Sequence, residues 1–186
     1  MIRSGQLISS IMFAIFTIGI LSAQTQKEAV KIEGSSFCAD ESEDFQSARP
    51  PTNVVLDVLL KTPGAKDVSA ELEKLDREEQ RKLFRAVRVH LSETDPTDYL
   101  VVGSYPMSGA DNDWFWLVRQ TQNRAQVILD AGGNCLDLLR TRSSGYRDIR
   151  TVWSAASGLT ITRIYHYDGN RYQLVHRYTK TVGLSQ

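Results

Sequence analysis

Leu159-Thr160-Ile161-Thr162-Arg163-Ile164-Tyr165-His166-Tyr167-Asp168-Gly169-Asn170-Arg171-Tyr172-Gln173-Leu174-Val175-His176-Arg177-Tyr178-Thr179 reads as two strands joined by a tight turn. β-Branched and aromatic residues fill both runs, and the residues between them tolerate the positive φ a short hairpin turn needs. A two-residue turn at Gly169-Asn170 pairs Tyr167 with Tyr172, Tyr165 with Leu174, Arg163 with His176 and Ile161 with Tyr178. Side chains alternate along a strand, so those residues share one face. The other face holds Thr160, Thr162, Ile164, His166, Gln173, Val175, Arg177 and Thr179. The first set is the more apolar and aromatic and is expected to face the core. On this register His166 and His176 lie on opposite faces.

The same period extends upstream. Leu136–Thr141 and Ile149–Ser154 flank Ser143-Ser144-Gly145, and Gly132-Gly133-Asn134 reads as the turn before them. Trp114–Thr121 and Ala125–Asp130 flank Gln122-Asn123-Arg124, and Tyr99–Val102 ends at Gly103. Val87, Val89 and Leu91 alternate with Arg88, His90 and Ser92, although a helix running on through Phe84, Val87 and Leu91 fits the same letters. Further upstream the pattern is helical. Val54–Thr62 follows Asn53 as N-cap and stops at Pro63-Gly64, and Asp67–Leu83 contains Asp76 and Glu79 at capping-box spacing. Leu72, Leu75 and Leu83 share one face of that second segment. The fold class is therefore α+β: short N-terminal helices, then an antiparallel sheet or meander of about seven strands.

The N-terminus carries an address. Arg3 precedes the uncharged apolar run Leu7–Leu21, and Leu21-Ser22-Ala23 supplies small residues for cleavage. The run is shorter than the ~20 residues that span a bilayer. Residue 24 is Gln rather than the Cys of a lipoprotein, and no paired arginine precedes the run. Residues 1–23 are thus read as a signal peptide, 24–53 as a polar leader with an acidic cluster at Asp40–Asp44, and 54–186 as one α+β domain. The expected location is secreted or periplasmic, with no membrane anchor after cleavage. The 22 basic and 22 acidic residues give no footprint for nucleic acid. Cys38 and Cys135, the two cysteines, are expected to form a disulfide in an oxidising compartment, with two unpaired thiols as the alternative.

His90-Leu91-Ser92-Glu93-Thr94-Asp95-Pro96-Thr97-Asp98, followed by Tyr99–Val102, resembles the Asp-x-Asn-x-Asp-Gly-x-x-Asp loop of FG-GAP and VCBS-type secreted modules. The resemblance implies a calcium loop, since oxygen ligands at alternating positions suit a hard cation. Here the leading ligand positions fall on His90, Ser92 and Thr94, Asp95 stands at the motif's Gly, and Asp98 alone keeps its carboxylate. The loop is therefore degenerate and is not expected to hold an ion. Gly103, Ser108-Gly109-Ala110, Trp114–Val118, Gly145-Tyr146-Arg147-Asp148-Ile149 and Tyr165–Tyr172 extend the resemblance to a group of uncharacterised secreted bacterial proteins. In that group a Gly-Tyr-x-Asp-Ile element and a Tyr-x-x-Asp-Gly-x-x-Tyr hairpin recur in this order. It implies a fold and a compartment, and no activity.

No nucleophile elbow, zinc-protease helix or phosphate-cradling loop is present in the sequence. No catalytic or metal-ligating set is read, and no cofactor. Trp114, Trp116, Tyr146, Trp153 and the hairpin tyrosines form an aromatic surplus, either core or a stacking surface. The segment from Tyr105 to Asp113 is a long loop on a rigid sheet, where recognition residues concentrate. Tyr105, Ser108, Asp111 and Asp113 are its candidate ligand-binding residues. The expectation is a non-catalytic binding domain for a protein or glycan partner of the cell envelope. The alternatives are an envelope hydrolase whose acid and base meet only in the fold, and a proteinaceous inhibitor of an envelope enzyme.

Overall fold

The computed structural model describes residues 35–38, 45–94, 98–108, 113–155 and 157–181. The signal segment 1–23, the acidic cluster 40–44 and Asp111 lie outside the described residues. A short strand β1 (Ser36–Cys38) is followed by four helices, α1 (Asn53–Leu59), α2 (Pro63–Lys66), α3 (Ser69–Leu72) and α4 (Arg77–Lys82). Eight more strands follow: β2 (Phe84–Val89), β3 (Asp98–Gly103), β4 (Asp113–Thr121), β5 (Arg124–Gly133), β6 (Cys135–Ser143), β7 (Tyr146–Ser154), β8 (Leu159–Tyr167) and β9 (Tyr172–Thr181). Short helices followed by antiparallel strands is the expected order. The nine strands form two sheets, β2-β3-β4-β5 and β1-β6-β7-β8-β9.

The division into two sheets happens at one corner. β5 ends at Gly133 and β6 begins at Cys135, so the chain leaves one sheet and enters the other across Asn134. A Cβ at Gly133 would lie 3.0 Å from the Val152 carbonyl oxygen and 3.3 Å from the Thr151 Cβ. Glycine lets β5 run that close to β7, and Asn134 N–H then donates to the Val152 carbonyl at 2.7 Å. The turn letters Gly132-Gly133-Asn134 encode a change of sheet.

The four-stranded sheet is covered on both faces. One face packs on the larger sheet through Leu100, Val102, Phe115 and Leu117 against Leu136, Leu138, Ile149, Tyr165, Tyr167 and Tyr172. The other packs on the helices through Phe84, Val101, Trp116 and Val118 against Val55, Leu56, Leu59 and Leu72. Double burial explains why Phe115-Trp116-Leu117-Val118 is apolar without a break. Full burial of each such side chain is worth about 1.5–3 kcal/mol of transfer free energy.

The helices are shorter than their periodicity predicts. Thr52, not Asn53, caps α1, its Oγ1 accepting from Val55 N–H at 3.4 Å. Pro63 opens α2 at its first position, where proline's missing N–H costs nothing. Asp67–Leu83 divides into α3 and α4, and the Asp76/Glu79 capping box at the start of α4 is formed from both sides. The fold also reaches upstream of residue 54. Phe37 and Phe45 are buried in the inter-sheet core, and Arg49 bridges to Ala86 at the β2 edge. Cys38 and Cys135 face each other across the β1–β6 pair and form the expected disulfide.

The β8–β9 hairpin follows the expected register for three pairs and then departs from it. Tyr167 faces Tyr172, His166 faces Gln173 and Tyr165 faces Leu174. Asp168 N–H donates to the Arg171 carbonyl at 3.0 Å, closing the two-residue turn, and Gly169 adopts φ of 103° there. Val175 is then an extra residue, so Ile164 pairs with His176, Arg163 with Arg177 and Thr162 with Tyr178. The bulge carries Tyr178 to the outer face, and it is 55% exposed. Tyr165, Tyr167 and Tyr172 are buried as expected, whereas Leu174 is 51% exposed because β9 is an edge strand next to a narrower sheet. The assignment of Leu174 and Tyr178 to the core is corrected accordingly. The bulge also places His176 opposite Ile164, on the same face as His166, so the two histidines are not on opposite faces. His176 stacks on Tyr178 with ring centres 5.9 Å apart.

Candidate functional site

The edge strand β5 and the corner at Gly132-Gly133 leave a groove between the two sheets. One wall is Trp114, Asp130 and Gly132; the other is Trp153, Ile161, Arg163 and Tyr165, and the space between them is about 460 Å³. Alternation in β7 and β8 builds the second wall, since Trp153 pairs with Ile161 and Thr151 with Arg163. A second depression of about 470 Å³ lies beside it, between the Lys61-Thr62-Pro63 junction, β5 and Arg171–Leu174. Asp130 and Tyr165 line both.

Asp130 is the centre of this site. It pairs with Trp116 across β4–β5, which turns its carboxylate toward the helix layer beside Trp114. Trp114 Nε1–H donates to Asp130 Oδ1. The indole reaches that position because residue 64 is glycine; a Cβ there would overlap the ring. A Cβ at Gly132 would touch the same indole at 3.4 Å. Asp130 Oδ2 is buried without a hydrogen-bond partner, and so is Nε1 of Trp153.

Burial pushes the Asp130 carboxyl above the ordinary aspartate range, with the Trp114 hydrogen bond opposing it. Burial likewise raises the Tyr165 hydroxyl. Arg163 Nη1 donates to the Gly132 carbonyl at 3.4 Å and ties the two walls together. Among the described residues Asp130 is the sole carboxylate lining either depression.

A second cluster of polar and aromatic side chains gathers around Arg119, Tyr146 and Tyr167. Arg119 lies over the Tyr146 ring at 4.6 Å and the Tyr167 ring at 5.3 Å, and donates to Tyr167 Oη at 2.8 Å. It also pairs with Asp98 at 3.9 Å. Tyr146 and Tyr167 stack with centroids 4.2 Å apart. Tyr172 Oη donates to the Arg147 carbonyl at 2.7 Å, and Asp148 lies 3.7 Å from His166. Burial, with the Asp98 and Asp148 carboxylates nearby, raises the Tyr172 hydroxyl far above the usual phenol range. Asp98, the β6–β7 connection and the β8–β9 hairpin thus meet in one packed polar network. Asp98 is fully buried within it, its carboxylate directed at Arg119.

Of the loop candidates, Tyr105, Ser108 and Asp113 do not line the groove. Tyr105 is 79% exposed on the β3–β4 connection and Ser108 is half-buried. Asp113 is buried at the start of β4, opposite Gly133. Trp116 is core, with Nε1–H donating to Thr62 Oγ1 at 3.0 Å, whereas Trp114 and Trp153 are half-buried at the groove. The sequence marks both of those tryptophans as surplus aromatics. Asp130 carries no such mark, because its neighbours Trp153 and Tyr165 arrive only through the sheet change. Comparison with protein-family models, with curated proteins and with solved structures finds no match.

Proposed function

We propose that this protein is an exported, non-catalytic binding domain that holds a partner from the cell envelope in the groove between its two sheets. The observation that carries this reading is the groove of about 460 Å³ between the two sheets, where the half-buried rings of Trp114 and Trp153 stand beside Arg163 and Asp130. The signal-like N-terminus, the resemblance to secreted modules and a disulfide compatible with an oxidising compartment support the location. A second reading, an envelope hydrolase, draws on the raised Asp130 carboxyl as a proton donor.

Co-sedimentation with washed envelope material from the cell that makes the protein tests the proposal. The mature protein is expected to sediment with it, and Trp153→Ala and Asp130→Ala to remain in the supernatant. No sedimentation of the wild type, or sedimentation unchanged by both substitutions, overturns the groove as the binding surface. Release of soluble fragments by the wild type and not by Asp130→Asn would favour the hydrolase.

A further inference from the structure

We infer that the partner is a protein offering an extended acidic segment, which adds a strand to the free edge of β9 along the rim of the groove. The inference rests on the binding reading and names the partner's chemistry. β9 closes the larger sheet on one side, and among the described residues no strand pairs with its outer edge. Residues 173–181 are exposed throughout, so the N–H and C=O groups that β9 turns away from β8 are open to a second chain. Three of the five large apolar side chains exposed among the described residues, Leu174, Val175 and Tyr178, lie on this strand. Gln173 and Leu174 also line the second depression, so the edge is continuous with the groove.

Charge selects the segment. From Gly169 to Gln186 there is no Asp or Glu, whereas Arg171, Arg177 and Lys180 all stand there. The whole chain carries 22 residues of each sign, so this end is a local excess of cations. Arg163 and Arg177 are cross-strand partners and share a face, the one on which Arg163 lines the groove. Like charges directly opposite each other destabilise a sheet. Among the described residues neither arginine has a carboxylate in ion-pair distance, and Arg163 donates to the Gly132 carbonyl instead. A partner carboxylate beside Arg177 offsets that repulsion, and a guanidinium takes a carboxylate through two parallel hydrogen bonds. Asp130 does not fill this role, because its carboxylate is turned to Trp114 in the helix layer.

A second copy of this chain fits the edge badly. Paired along β9, it would set its own Arg171, Arg177 and Lys180 beside the same three cations, and the bulge at Val175 interrupts a regular ladder. The basic side chains thus work against self-pairing and admit an acidic strand. An acidic glycan would meet the arginines, but it has no row of backbone amides for the strand edge and no apolar side chains for Leu174 and Tyr178.

The test is a titration of the mature wild-type protein with a short peptide alternating glutamate and valine, with its glutamine–valine counterpart, and with oligogalacturonate as an acidic glycan. Fluorescence anisotropy of the labelled ligands gives the affinities, and amide hydrogen exchange locates the site. The acidic peptide is expected to bind roughly tenfold tighter than the glutamine peptide. Its binding should weaken as salt is raised, and it should slow exchange at residues 173–181. Arg177→Gln should weaken it roughly tenfold without lowering the melting temperature. Arg140→Gln, exposed on β6, should leave it unchanged. Failure of the acidic peptide to bind, or binding that leaves exchange in β9 as it was, overturns the inference. So does tighter binding of oligogalacturonate, or a dimer whose β9 amides are protected without any peptide. Sedimentation with envelope material judges the binding reading separately. If the wild type and Arg177→Gln sediment equally well, that reading stands and the strand addition falls. If the wild type fails to sediment, both fall.

Discussion

Asp130 and Asp168 show how one residue type is driven in opposite directions by its surroundings. Asp130 is half-buried with one oxygen satisfied by an indole, and its carboxyl is held above the ordinary value of 3.8. Asp168 is exposed in the hairpin turn. It accepts from the Arg171, Gln173 and Asn170 N–H groups, at 2.9, 2.9 and 2.8 Å, and titrates at about 2. The linkage signs follow from these shifts. A raised acid binds its proton more tightly in the folded state, so the stability tied to Asp130 is complete below 3.8 and is lost as pH rises through the folded value. A depressed acid does the reverse, so that of Asp168 is complete above 3.8 and is lost as pH falls through about 2. Asp130→Asn, which keeps an acceptor for Trp114, should therefore gain stability relative to wild type from acid to neutral pH. The deficit of Asp168→Ala should instead shrink as pH approaches about 2. Thermal melts across that range decide it, and a pH-independent difference at position 130 would mean that its carboxylate is well solvated. Of these two residues only Asp168 was legible in the sequence. Its partners are its immediate neighbours, while that of Asp130 is Trp114, sixteen residues away on the adjacent strand β4.

The hairpin shows where local reading of an element stops. The turn and the first three pairs follow from Asp168-Gly169-Asn170-Arg171 and from alternation. The bulge at Val175 does not, because a strand at a sheet edge packs too little to reward a fixed parity. The same limit explains the helices: α2, α3 and α4 are single turns or little more, and the face of α1 that meets β4 and β5 matters more than propensity. The consequence can be measured. Tyr165, 9% exposed, should cost about 3–5 kcal/mol on truncation to Ala, in line with other buried aromatics. Tyr178 should cost less than about 0.5 kcal/mol, as an exposed side chain on the outer face. Regular alternation makes the two losses similar, so denaturant melts of the two variants distinguish the bulged register from the unbulged one.

At the scale of the whole molecule, the covalent staple and the groove meet at one corner, since Cys135 pairs with Val152, whose neighbour Trp153 lines the groove. The Cys38–Cys135 bridge pins β1 to β6, and β1 and β9 are the two edges of the larger sheet. The groove is built from β4, β5, β7 and β8. The sequence showed the strands and the disulfide pair but not this layout, because a change of sheet at Asn134 is written in the same letters as a hairpin turn. The bridge closes a loop with a sequence separation of 97 residues. In the chain-entropy view such a bridge stabilises by about 4–5 kcal/mol. Cys38→Ser with Cys135→Ser should therefore lower stability by up to that amount. The loss should be felt first at Ser36–Cys38 and around Phe37 and Phe45, which the bridge holds against the inter-sheet core. Hydrogen exchange should quicken there while the amides of β4, β5, β7 and β8 remain protected. Below the melting temperature the double variant should sediment with envelope material as the wild type does. Loss of sedimentation with a folded core would show that the N-terminal segment, and not the groove alone, carries the binding surface.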